Sequence, residues 1–189
     1  MMFVHRNLKG IVAATLLLVT ISGATVTAQQ AEADSALLQA LAAAETPAEA
    51  ARVERELQAL WRNSGSPAMD FLLQRGRDAQ ERGDLQQAIE HLTALTDHAP
   101  EFAEGWHARA SAYFSAGLYG PALADLERAL HLNPNDYNAI FGLGRMFEEF
   151  GDPQRAYQAY SRAQAIHPLH EEVTKALERL KPEVEGEAL

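Results

Sequence analysis

The chain has 189 residues, 47% hydrophobic but only 7% aromatic, enough for one domain and weighted by Ala and Leu toward packed helices rather than a β-sandwich. A formal net charge of −10 removes the usual basis for binding a phosphate backbone or an anionic lipid surface. With no cysteine there is no disulfide, thiol catalysis or thiolate metal site, so stability must come from packing.

Residues 1–28 read as an export signal. His5, Arg6 and Lys9 give a positive start, Gly10 to Ile21 is uncharged, and Val26-Thr27-Ala28 supplies the small residues a signal peptidase needs before Gln29. Cleavage after Ala28 is expected, which would place the remainder in the periplasm or outside the cell. The alternative is an uncleaved inner-membrane anchor over 10–28, the one route to membrane contact. A short linker, 29–33, follows.

Leu37, Leu38 and Leu41 recur at helical spacing between Asp34 and Ala44. Thr46-Pro47-Ala48-Glu49 then combines a capping hydroxyl, a first-turn proline and a carboxylate that can reach back to the cap. Val53, Leu57, Leu60 and Trp61 give this second helix an apolar stripe, and Asn63-Ser64-Gly65 ends it. The pair, 34–65, has the size of the units that follow but fits their frame only in part: Glu54 and Gln58 stand where Ala88 and Leu92 lead one to expect apolar residues. It is read as a degenerate or capping unit, with an unrelated helical hairpin as the alternative.

From Ser66 a pattern repeats every 34 residues. Leu72, Gly76, Ala79, Gly83, Ala88, Leu92, Leu95 and Pro100 are followed by Trp106, Ala110, Tyr113, Gly117, Ala122, Leu126, Ala129 and Pro134. Ile140, Gly144, Phe147, Gly151, Ala156, Tyr160, Ala163 and Pro168 make the third copy. The units are 69–102, 103–136 and 137–170. Gly83, Gly117 and Gly151 fit the left-handed turn that ends a first helix, and Asp84 and Asp152 cap the second. Pro121 is expected in a first turn, as is Pro153. Gly76, Ala110 and Gly144 face Ala88, Ala122 and Ala156 where the two helices cross.

This spacing resembles the tetratricopeptide repeat, of an exported bacterial type. The resemblance implies an all-α solenoid of antiparallel helix pairs: three clear repeats within 66–170, a degenerate pair before them and a capping helix, 171–182, after them. Val173, Ala176, Leu177 and Leu180 form the cap's apolar face, Pro182 should stop it, and 183–189 should be a disordered acidic tail.

No catalytic motif is present: there is no G-x-S-x-G elbow, no phosphate-cradling glycine loop and no H-E-x-x-H, so no enzyme, cofactor or small-molecule substrate is expected. His167 and His170 with Glu171 define no specific metal site, and no metal is expected. In the family resembled, the first helices line a concave surface that binds an extended or helical segment of another protein. Helical spacing puts Leu73, Arg77 and Gln80, then His107, Ser111 and Phe114, then Phe141, Arg145 and Glu148 in rows beside the packing stripe. Two arginines and three apolar residues suit a partner segment with a carboxylate and an apolar anchor. Alternatively, Phe114 and Phe141 pack between units and the arginines pair with Glu81, Glu148 or Glu149.

Some members of the family clamp a chaperone's terminal carboxylate with Lys, Asn and Arg. The corresponding places here hold Leu73, Arg77, Ala108, Asn138 and Gly142, so that mode is not expected. The expected role is a non-enzymatic interaction module, adaptor or scaffold, of the bacterial cell envelope, with a periplasmic holdase for unfolded clients as the alternative. Self-association through Trp61 or Leu177 is a further expectation.

Overall fold

The computed structural model describes residues 29–186, and these form nine helices with no strand among them. Helix α1 covers residues 29–42. The others are α2 (Pro47–Trp61), α3 (Pro67–Glu81), α4 (Leu85–His98), α5 (Ala103–Ser115), α6 (Tyr119–Leu132), α7 (Tyr137–Glu149), α8 (Pro153–Ile166) and α9 (Glu171–Gly186). None of the described helices is long and apolar enough to cross a membrane. The export signal lies outside the described residues.

The pairs α3/α4, α5/α6 and α7/α8 are the three repeats, and α4 on α5, α6 on α7 and α8 on α9 stack them in series. Their turns are alike. Gly83, Gly117 and Gly151 take φ of +78°, +72° and +68°, a region closed to most side chains. The reversal lets the Asp84, Leu118 and Asp152 amides each donate, at 2.9 Å, to a carbonyl five residues back, satisfying helix-end acceptors. Asp84 and Asp152 then cap α4 and α8, accepting from the amides of Gln87 and Arg155. Helix α6 lacks a side-chain cap and starts at Tyr119, so Pro121 is its third residue rather than a first-position proline. The absence of an N–H is harmless there too, because the first turn has no partner for it.

The first and third hairpins close by a glycine under a large side chain of the second helix, Leu92 and Tyr160, rather than against Ala88 and Ala156 as the spacing predicts. A Cβ on Gly76 would stand 2.5 Å from Leu92 Cγ, and one on Gly144 would overlap the Tyr160 ring. Leu73, Ala79, Leu92 and Leu95 of the first hairpin share an apolar cluster with Ala108 and Ala112 of α5. Ala110, Ala122, Leu126, Ala139 and Met146 form the next, from α5 to α7. Within the second repeat, Arg109 of α5 makes a bidentate pair with Asp125 of α6 at 2.7 and 2.9 Å, and it ties that repeat to the first by donating to Thr96 Oγ1 of α4 at 2.7 Å. Asp125 is only 5% exposed, so losing one partner of this pair would cost about 3–5 kcal/mol.

The N-terminal hairpin departs from the solenoid. Thr46 Oγ1 accepts from the Glu49 amide and Glu49 accepts from the Glu45 amide, so α2 begins as its capping signal predicts. The helix before it already includes residues 29–33, replacing the linker predicted there. Good helix formers, Ala31 and Ala33, continue it, and Asp34, inside the helix, accepts from the Trp61 indole at 2.6 Å. The pair does not share the cluster of α3 and α4. Leu41, Ala50, Val53 and Leu57 belong with Tyr137, Ile140, Tyr160, Val173, Ala176, Leu177 and Leu180 of α7, α8 and α9. It is therefore not stacked as a further repeat before α3.

At the other end α9 runs through Pro182 to Gly186, so the predicted stop at Pro182 and the acidic tail from 183 are corrected. Leu180, 4% exposed, anchors this stretch and the Lys181–Glu185 pair at 3.8 Å spans the proline on the wet side. Residues 187–189 lie outside the described part.

Candidate functional site

The first helices α3, α5 and α7 stand side by side, and the rows predicted from their spacing meet one another across the gaps. Leu73 is the exception: it is 4% exposed and fills space left by Ala108 and Ala112, so it belongs to the core and not to the groove. Gln80 Nε2 donates to Ser111 Oγ at 2.9 Å. Arg77 donates to Glu104, not to Glu81. Arg145 pairs with neither Glu148 nor Glu149: its guanidinium lies 4.7 Å over the Phe114 ring, and among the described residues it makes no ion pair. Glu148 accepts instead from Tyr160 Oη and, at 2.5 and 3.1 Å, from Arg179. The Arg179 bonds hold its carboxyl below the usual range.

Both phenylalanines make inter-helix contacts and also border open space. Phe114 packs on Tyr119 at 5.5 Å, and Phe141 on Tyr160 and His170 at 5.4 and 5.5 Å. Between them lies a depression of about 210 Å³ lined by His107, Ser111, Phe114, Asn138, Phe141 and Arg145. Five of its nine lining residues, His107, Ser111, Phe114, Phe141 and Arg145, belong to the rows predicted from spacing. It continues past Phe141 and Arg145 into a polar depression of about 340 Å³ bordered by Glu148, Lys175 and Arg179. In the other direction it passes His107 and Asn138 into one of about 220 Å³ beneath Gln58, Trp61 and Arg62. The three lie in series, neighbours sharing Phe141 and Arg145 or His107 and Asn138 as walls, and are taken together as the groove, with α2 over one end.

Under α2 sits a charge quartet that sequence reasoning missed. His107 Nδ1 is 3.1 Å from Asp136 and 3.7 Å from Glu104, and the two acids are 2% and 7% exposed. Burial alone would lower the imidazole, but Asp136 and Glu104 overcome it and push His107 up to about 10. Asp136 is opposed by its own burial, yet His107 and the amides of Ala139 and Asn138 hold it below the usual carboxylate range. Glu104, His107 and Asp136 have ligand atoms within 4.8 Å of one another. A metal would require a deprotonated imidazole, however, and Glu104 is already committed to Arg77. Arg77 and protonated His107 balance the two carboxylates. Glu104 and Asp136 escaped notice because acids at helix starts look like ordinary caps; their only signal was that each opens a first helix 32 residues apart, one flanking His107 on either side.

The histidines weighed as ligands act otherwise. His170 Nδ1 accepts from the Val173 amide at 3.3 Å and so caps α9, while Glu171 pairs with Lys175. His167 is 3% exposed, 3.8 Å from Glu54, and its Nδ1 has no partner. Of the residues named for self-association, Trp61 stacks on Tyr137 and Leu177 is buried, so neither offers a free apolar face.

Comparison with known proteins agrees with this architecture. A sequence profile of the tetratricopeptide repeat matches residues 73–124 and 107–171. A TPR repeat-containing protein of Rhizobium etli is 26% identical over 140 residues, covering 74% of this chain and 69% of its own length. The chain spans only 7% and 6% of two human proteins that it also matches. Among solved structures, the Sgt2 TPR domain from Aspergillus fumigatus is 26% identical with a TM-score of 0.60, covering 64% of this chain and 81% of that one. The first TPR of Spaghetti (RPAP3), bound to the HSP90 peptide SRMEEVD, has a TM-score of 0.60 at 24% identity and covers 63% and 94%.

Proposed function

Because this chain belongs to the tetratricopeptide repeat family, we propose that it is an adaptor of the bacterial cell envelope that binds a segment of a partner protein along α3, α5 and α7. Export through residues 1–28 underlies the location. The observation that carries the binding site is Arg145: an exposed guanidinium that makes no ion pair among the described residues and acts on Glu148 only through space, stacked on Phe114 at the rim of a depression shared with Phe141. Such a site takes a carboxylate beside an apolar side chain, with the arginine preorganised by the ring. Peptide binding by a neighbour of the same fold supports the reading. The terminal-carboxylate clamp of some family members is not carried over, since Arg77 is held by Glu104.

Crosslinking in the intact envelope, followed by identification of the captured proteins, tests the proposal. One dominant partner should be captured by the wild type and lost in Arg145→Glu, which touches no core residue. A broad smear of clients would favour a holdase. Unchanged capture by Arg145→Glu would remove the groove assignment.

A further inference from the structure

The section of groove beneath α2 is not vacant surface that the hairpin happens to approach. Glu54, Gln58 and Trp61 lie four and three residues apart, on one face of α2. Tyr137 Oη donates to Glu54 at 3.2 Å, the Trp61 ring packs on Tyr137 at 5.7 Å, and Gln58 borders the depression formed by Arg77, Glu104, His107 and Asn138. The Glu54 carboxylate and the Trp61 ring thus meet the Tyr137 phenol, while Gln58, bonded along α2 to Glu54 and Arg62, faces the depression that holds the charge quartet.

The fit is also incomplete. Arg62 sits close enough to Arg77 to disfavour its charge, and His167 Nδ1 is buried without a partner. A gap of about 310 Å³ separates the hairpin from the starts of α5 and α7. An occupant with the same three groups and without these defects would bind better.

We infer that this section is a recognition surface for a helix presenting Glu, Gln and Trp-like groups at i, i+4 and i+7, and that α2 is an internal occupant which a partner helix of that pattern displaces. The inference rests on the groove reading above and lengthens the site from the Arg145 depression to the whole concave face. The tether holds α2 at an effective concentration in the millimolar range, so a free helix binds only when the hairpin is weakened or the partner fits better.

A fluorescein-labelled peptide of residues 46–63 serves as the probe, with fluorescence anisotropy read on the full chain. The wild type should bind it weakly. Two release variants, Gln58→Lys and the double variant Glu54→Lys/Trp61→Ala, should bind at least about tenfold tighter, and a peptide carrying Glu54→Gln and Trp61→Ala should not bind them. Circular dichroism identifies a variant that has lost its helices; the other then carries the test. Equal binding by wild type and a folded release variant would overturn the inference, as would equal binding of the altered peptide.

Because the chain has no cysteine, Gln58→Cys/Asn138→Cys bridged by a bismaleimide can hold the hairpin down. Partner capture should fall in the bridged chain. If capture persists there and still depends on Arg145, the open section suffices: the inference fails and the adaptor reading stands.

Discussion

His107 shows how a residue chosen for a partner acquires a structural duty. Its imidazole is charged in the fold up to about pH 10 but titrates near 6.5 when unfolded. A raised folded value contributes stability in full below pH 6.5 and loses it as pH climbs toward 10. Between pH 7 and 9 the folded state holds about one proton more than the unfolded state, so urea titrations should show stability falling by about 1.4 kcal/mol per pH unit. His107→Gln should flatten that slope. His167 has the opposite sign: burial and His170 depress it, so its contribution is complete above 6.5 and is lost as pH falls from there through its lowered folded value. Gly144 makes a second case at this scale. A methyl group there meets the Tyr160 ring, whose hydroxyl is tied to Glu148, so the ring cannot swing aside freely. Gly144→Ala should lower stability by about 1–3 kcal/mol, read as a reduced Tm. Gly120→Ala, with open space around the Cβ, serves as the neutral comparison.

At the scale of elements, the repeats were legible because each offset answers a local requirement: a positive-φ glycine, a capping aspartate, a small residue at a crossing. The N-terminal hairpin was legible only as an anomaly. Glu54 and Gln58 broke the apolar frame, and the reason lies at Tyr137, 83 residues from Glu54, beyond the reach of any periodicity. Leu73 was misplaced for a related reason, since groove and core rows on one helix share the same spacing and burial alone separates them. Helix α9 continues past its proline although its buried stripe ends at Leu180, two residues before the break, with the Lys181–Glu185 pair spanning it. Pro182→Ala would restore one backbone hydrogen bond and relieve a clash with the preceding turn. It should raise Tm, with a gain of up to about 3 kcal/mol reduced by fraying at the helix end.

For the whole molecule, charge and shape give different information. The net charge of −10 disfavours polyanions as partners, yet the open stretch of the concave face centres on Arg145. An acidic surface with a local cation favours a segment whose carboxylate docks there while the rest of the protein repels nonspecific anions. That arrangement needed coordinates, because composition reports only the sum.

The hairpin that reaches from α2 to α7 and α9 also changes how the array comes apart. A solenoid bound only through neighbours is nearly one-dimensional, and its end units fray independently. Here the first helices are fastened to the last, so the contact between Glu54 and Tyr137 couples the termini and raises the mean sequence separation of the native contacts. The chain should unfold in one transition seen alike by Trp61 fluorescence and by helical signal, and fold more slowly than an open array of its length. Glu54→Lys/Trp61→Ala should speed refolding and let hydrogen exchange in α3 and α4 run ahead of α7 and α8. Coincident exchange in all four helices of that variant would show that the loop closure contributes nothing to cooperativity.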